Sequence, residues 1–139
     1  MSWKDQCLAA LSEAKLFENS EHRTRFKELM DCYSGQPFFT KGLCKCMYLS
    51  AWDDEHFFIM LETLSNMSLG KEQNTGEMRV IGDALAEEQV TDEYYVYMLS
   101  IAFLDNIPYP VPDAADIRPE TVYIIQQALK AAAVIDALI

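Results

Sequence analysis

Between Val80 and Ile117 the chain has no lysine or arginine. Nucleic acid is gripped through its phosphates by those side chains, so this stretch offers no phosphate-binding surface, and direct binding of nucleic acid is not expected. Glycine is scarce, at 5 of 139 residues. Neither Gly-x-Gly-x-x-Gly nor the Walker order occurs, although Gly70-Lys71 and Gly76 bracket a polar loop, and this excludes the common nucleotide cradles. There are 2 histidines, His22 and His56, so any Ser-His or Cys-His nucleophilic pair must use one of them. Cys32 shares a predicted helix with His22 but lies about 15 Å along it. No Gly-x-Ser-x-Gly elbow is present.

Long apolar runs are missing too. The longest uninterrupted block, Tyr94 to Leu99, falls far short of the roughly 18 to 20 residues that span a bilayer. The opening Met1-Ser2-Trp3-Lys4-Asp5 lacks the basic start and apolar run of a signal peptide. These features predict a cytoplasmic protein with no membrane partner. A reducing compartment keeps the 4 cysteines (Cys7, Cys32, Cys44 and Cys46) as thiols, and their apolar neighbours suggest core filling. Cys44 and Cys46 stand two apart, so on a helix they point in opposing directions and do not grip one ion.

What the chain has in abundance is negative charge, −11 overall. It is segregated: residues 1–45 carry 7 basic and 6 acidic side chains, residues 46–139 only 4 basic against 16 acidic. Half the residues are hydrophobic, which supplies a core and argues against disorder. A chain of this length forms one domain, residues 1–139.

The pattern is helical throughout. Ser2 with Asp5 resembles a capping box before Trp3, Cys7, Leu11 and Ala14. Ser20 is the expected cap of a second helix carrying Phe26, Leu29, Met30 and Tyr33, which Gly35 and Pro37 end. Thr40 starts a third with Leu43, Met47 and Leu49. Asp53 or Asp54 caps a fourth, with Phe57, Phe58, Leu61, Leu64 and Met67 as its apolar face and Gly70 at its close. A fifth is expected over about 77–88. A sixth, capped by Thr91, is apolar nearly all round from Tyr94 to Leu104, which predicts the central, buried helix. Pro108, Pro110 and Pro112 make Asn106 to Asp113 an extended strap, read as a rigid crossover. Pro119 opens a last helix through Val122, Ile125, Leu129, Ala132 and Ile135. The expected fold is all-α, six or seven helices packed as antiparallel hairpins, as a bundle or a short solenoid-like stack. An echo at an offset of 38 residues, Asp54 to Leu61 against Asp92 to Leu99, raises the second form.

Chemistry is harder to find. Asp53 and His56 share a helix face, as a carboxylate and histidine do in di-iron bundles. Those bundles need a second such pair, and His22 has Asn19 in that place, so Asp53-Asp54-Glu55-His56 reads as a solvated helix start. All-helical pyrophosphohydrolases use Glu-Glu-x-x-Glu, but Glu87-Glu88 is followed by Thr91. No cofactor and no metal ligand set is therefore expected. A carboxylate-metal hydrolase near residues 83–93 is the alternative reading. The leading one is a non-enzymatic acidic interaction module or inhibitor, a nucleic-acid mimic for a basic protein partner. Its expected contacts are Asp83, Glu87, Glu88, Asp92 and Glu93, with Tyr94, Tyr97 and Tyr109 as aromatic anchors. The apolar run from Ala131 to Ile139 either packs inside the domain or pairs two copies as a homodimer.

Overall fold

The computed structural model describes residues 2–72, 79, 91–113, 115 and 117–138. Among them there are six α-helices and no strand. They are α1 (Trp3–Glu13), α2 (Ser20–Tyr33), α3 (Lys41–Ser50), α4 (Asp54–Ser68), α5 (Thr91–Asp105) and α6 (Pro119–Ala137). The helix expected over 77–88 lies outside the described residues, apart from Arg79.

The starts of α1, α2, α3 and α4 are each set by a local hydrogen bond that satisfies an otherwise orphaned N–H group, while α6 opens on Pro119 without a side-chain cap. Ser2 Oγ accepts the Asp5 amide at 3.1 Å. Thr40 Oγ1 accepts that of Leu43 at 3.1 Å, and Asp53 Oδ1 that of His56 at 2.8 Å. For α2 the cap is Asn19, not Ser20: its Oδ1 accepts the His22 amide at 2.8 Å. Gly70 turns the chain after α4 with φ +76°, a left-handed conformation that glycine adopts without steric cost.

The central helix is α3, which corrects the expectation for α5. From Leu43 to Ala51 every residue of α3 and its cap is buried except Lys45, which is half-buried. Among the described side chains of α5 only Leu99, Ala102 and Phe103 are buried. Gly42 explains the difference. A Cβ there would lie 2.4 Å from the Phe103 carbonyl oxygen, so the missing side chain lets the α5 backbone press directly on α3. Being surrounded, α3 buries both Cys44 and Cys46 although they point apart. Cys7 is also buried, with its Sγ 3.9 Å from that of Cys44, whereas Cys32 is exposed.

Helix direction follows from the contacts at the two ends of α3. Its start meets the ends of α5 and α6: Gly42 abuts Phe103, and Lys41 Nζ donates to the Leu138 carbonyl at 2.8 Å. Its end meets the starts of both, as shown below. Both helices therefore run antiparallel to α3 and parallel to each other. Parallel neighbours need a return connection, and the proline strap supplies it. Asn106 leaves α5 in the left-handed region, φ 54°. Tyr109 Oη then donates to the Tyr95 carbonyl at 2.9 Å, so the strap runs back alongside α5. An α5 of 15 residues rises about 22 Å. Roughly eight residues of polyproline-like chain cover that distance.

Ala131, Ala132 and Ile135 of α6 are buried within the chain. These three side chains of the apolar C-terminal run thus pack inside, while Ala133 and Ala137 are exposed. No helix among the described residues is long and apolar enough to cross a membrane.

Candidate functional site

The end of the bundle where α3 finishes is where α2, α4, α5 and α6 begin. His22, on the first turn of α2, reaches the Tyr48 carbonyl near the end of α3 through Nε2 at 2.9 Å. Each of the four helices starts with acid: Glu21 in α2, Asp54 and Glu55 in α4, Asp92 and Glu93 in α5, Glu120 in α6. Carboxylates are favoured there by the helix dipole.

Between these starts lies a cavity of about 160 Å³. Its polar wall is built from two hydrogen-bonded groups, one centred on His56 and one on Asp92. In the first, His56 sits between two carboxylates. Its Nδ1 is 2.7 Å from Asp53 Oδ1, and Nε2 donates to Glu93 Oε1. Burial alone lowers a histidine pKa, but the hydrogen bonds from Asp53 and Glu93 outweigh it and raise His56 from 6.5 to about 10. The ring is an imidazolium with both N–H groups engaged. For Asp53, burial pushes upward, and the His56 bonds overcome it and hold the carboxyl below its ordinary value.

In the second group, Arg118 Nε donates to Asp92 Oδ2 at 2.6 Å. Thr121 Oγ1 donates to the same oxygen at 2.8 Å. The Arg118 bond lowers the Asp92 pKa. Leu49, Trp52, Val96 and Ile124 form the apolar wall. Trp52 packs edge-on against Tyr123, with centroids 6.1 Å apart. A smaller cavity of about 50 Å³ shares His56 and Glu93 as lining and reaches Cys46, whose thiol burial raises to about 11.

The residues expected to bind a partner are divided by the fold. Asp83, Glu87 and Glu88 lie outside the described residues. Asp92 and Glu93 are brought together but turned inward onto Arg118 and His56, their side chains 17% and 20% exposed. Tyr97 Oη donates to the Arg79 carbonyl at 3.1 Å, and Tyr109 is tied to Tyr95. Of the three tyrosines only Tyr94 is exposed, at 49%. Asp53 does cap α4, but His56 is no solvated helix-start residue, because Glu93 from α5 closes over it. The Asp53–His56 spacing was legible in the sequence. Glu93, Arg118, Thr121 and Trp52 as its surroundings were not, since nothing local links them.

Among the described residues no set of three or more His, Cys, Asp or Glu side chains is placed to hold a metal ion. The chain matches no protein-family model, and no characterised protein or solved structure is significantly similar to it.

Proposed function

We propose that this chain is a non-enzymatic acidic interaction module, and that it engages a basic protein partner at the end of the bundle where α4, α5 and α6 begin. One observation carries the reading. Asp53, Asp92 and Glu93 line one cavity, and Asp54, Glu55 and Glu120 stand in the first turns of the helices that form it, with Arg25, His56 and Arg118 as the cations paired with this group among the described residues. The helix dipoles account for an acid at each start. The adjacent acids Asp54 and Glu55, and Asp92 and Glu93, go beyond that, because neighbouring carboxylates repel each other. An excess of negative charge at one end of a molecule speeds encounter with a cationic surface and sharpens selection. The exposure of Tyr123, 46% beside Trp52, supports its use as an aromatic anchor. A partner held this way would have its own phosphate-binding surface covered, which is how such a module inhibits.

The state of the ionisable groups favours binding over proton transfer. His56 holds its proton between two acceptors, so it is not a base near neutrality. Asp92 is kept ionised by Arg118, which makes it a weak base.

The test is association with basic proteins of the native host, compared across salt and across two sets of variants. Asp54→Asn, Glu55→Gln and Glu120→Gln together remove charge at the proposed face without touching His56. Glu28→Gln, Glu62→Gln and Asp113→Asn remove equal charge elsewhere. A basic protein should co-purify with the wild type and the second set, and be lost with the first set or at about 0.5 M salt, where screening is nearly complete beyond contact. Binding that ignores salt, or that falls equally with both sets, would overturn the reading.

A further inference from the structure

We propose that the cavity lined by Glu93, Trp52 and Val96 receives a single primary ammonium group on a short apolar stem, the chemistry of a lysine side chain or a small alkylamine. This deepens the reading above by naming the group a basic partner would present. It rests on what the cavity's polar groups still lack.

Asp53 is fully engaged: it caps α4 through the His56 amide and holds the His56 ring. Asp92 accepts from Arg118 and Thr121 through Oδ2 alone. Glu93 accepts from His56 through Oε1. The second oxygen of each, Asp92 Oδ1 and Glu93 Oε2, accepts no side-chain hydrogen bond among the described residues. Two of the three hydroxyls that line the same space, those of Thr121 and Ser100, have also used their protons, and the third, Ser50, is turned to the Cys46 thiol. Thr121 donates to Asp92 at 2.8 Å and Ser100 to the Val96 carbonyl at 3.3 Å. What these groups retain is lone pairs. The guanidinium of Arg118 adds donors only at the mouth, where its side chain is 75% exposed.

A ligand for this wall must therefore donate. A primary ammonium carries three donors and no acceptor. Charge agrees. The His56 proton is shared by Asp53 and Glu93, and Arg118 is matched by Asp92, which leaves one negative charge in excess. Leu49, Val96 and Ile124 offer an apolar surface to a stem, and Trp52 a ring of the kind that attracts cations. At about 160 Å³ the cavity is smaller than the roughly 300 Å³ at which drug-sized sites begin. It suits one group and its stem, not a larger molecule.

The experiment titrates the intact chain with n-butylammonium chloride and with Nα-acetyl-lysine amide, following the His56 ring and Trp52 indole resonances by NMR. n-Butanol tests the stem without the charge, and tetramethylammonium tests the charge without N–H donors. Saturable shifts at both residues are expected for the two ammonium probes, with n-butanol and tetramethylammonium on the order of tenfold weaker, the worth of a charge-assisted hydrogen bond. Glu93→Gln should weaken the ammonium probes by a similar factor. Val96→Leu, which fills the space and leaves the charges in place, should weaken them as well. Equal response to all four probes, or none to either ammonium, would overturn the inference. The two readings fail separately. If the ammonium probes bind but no basic protein is captured, the cavity is a site for a free amine and the partner reading falls. If a basic protein is captured and n-butylammonium does not compete with it, the partner reading stands and the cavity inference falls.

Discussion

His56 of α4 and Glu93 of α5 are joined across the helix starts, the carboxylate accepting the Nε2 proton of an imidazolium whose other nitrogen is held by Asp53. The contact staples together two helices that are separated in the chain by the whole of residues 69–90. Both side chains line each of the two cavities.

Replacing that ring should cost stability. His56→Gln removes the charge and leaves Glu93 facing a neutral neighbour in a partly buried place. The expected loss is about 2–3 kcal/mol, the range for charged hydrogen bonds. That corresponds to a fall of roughly 6–12 °C in melting temperature for a chain of this size. A melting temperature within a degree or so of wild type would show that the staple is ornamental.

The histidines should bend the pH dependence of stability in opposite senses. In the unfolded chain both titrate near 6.5. Folded His56 is raised to about 10, so between these values the native state binds the extra proton. Its contribution is complete below pH 6.5 and is lost as pH rises through about 10. Folded His22 is lowered to about 4, chiefly by burial. From pH 6.5 down to about 4 the unfolded state binds the extra proton, so stability falls as pH falls. Each slope is at most about 1.4 kcal/mol per pH unit. Denaturant titrations should give an optimum near pH 6.5, and His56→Gln should flatten the alkaline limb while leaving the fall between pH 6.5 and about 4 in place.

Gly42 should not tolerate a side chain. In Gly42→Ala the new Cβ would meet the Phe103 carbonyl oxygen at 2.4 Å. The obstacle is backbone, which has no rotamer to change, so α5 must move away from α3. A loss of about 2–3 kcal/mol is expected from overpacking, outweighing the gain in helix propensity of about 1 kcal/mol. Equal or greater stability by chemical denaturation would contradict the close approach.

The strap should depend on one hydroxyl. Tyr109 Oη donates to the Tyr95 carbonyl, and burial raises the phenol to about 12, so it remains a donor across the ordinary pH range. Tyr109→Phe keeps the ring and loses the bond, which is worth about 1 kcal/mol. Faster proteolysis between Asn106 and Asp113, with little change in global stability, is the expected readout.

Thiol reactivity gives a direct check of the core. Cys32 is exposed, while Cys7, Cys44 and Cys46 are buried. A water-soluble thiol reagent should label one cysteine quickly in the native protein and all 4 after unfolding. Fast labelling of Cys44 would mean that α3 is not the enclosed helix.

Much of the local structure could be read along the chain, because its causes lie within a few residues of each other. The caps at Ser2, Thr40 and Asp53, the close at Gly70 and the opening at Pro119 each rest on contacts with near neighbours. Asn19 was missed in favour of Ser20 because either side chain suits a cap, and only the backbone path between them decides. Phe58 was placed on the apolar face of α4, yet it is 59% exposed. Its neighbour Phe57 takes the buried position, and a run of apolar residues does not say which of them turns inward.

The amino-acid order by itself determined that this chain is all-α, where its described helices begin, that a proline strap separates the last two, and that its charge is strongly negative. Those properties follow from short-range hydrogen bonding, fixed backbone angles and composition. Tertiary packing decided that α3 is the enclosed helix, that α5 and α6 run parallel, and that the ring of His56 is clasped by Glu93. These depend on contacts between residues far apart in the chain. A missing methyl at Gly42 or a carboxylate at position 93 has no visible consequence until another helix lies against it.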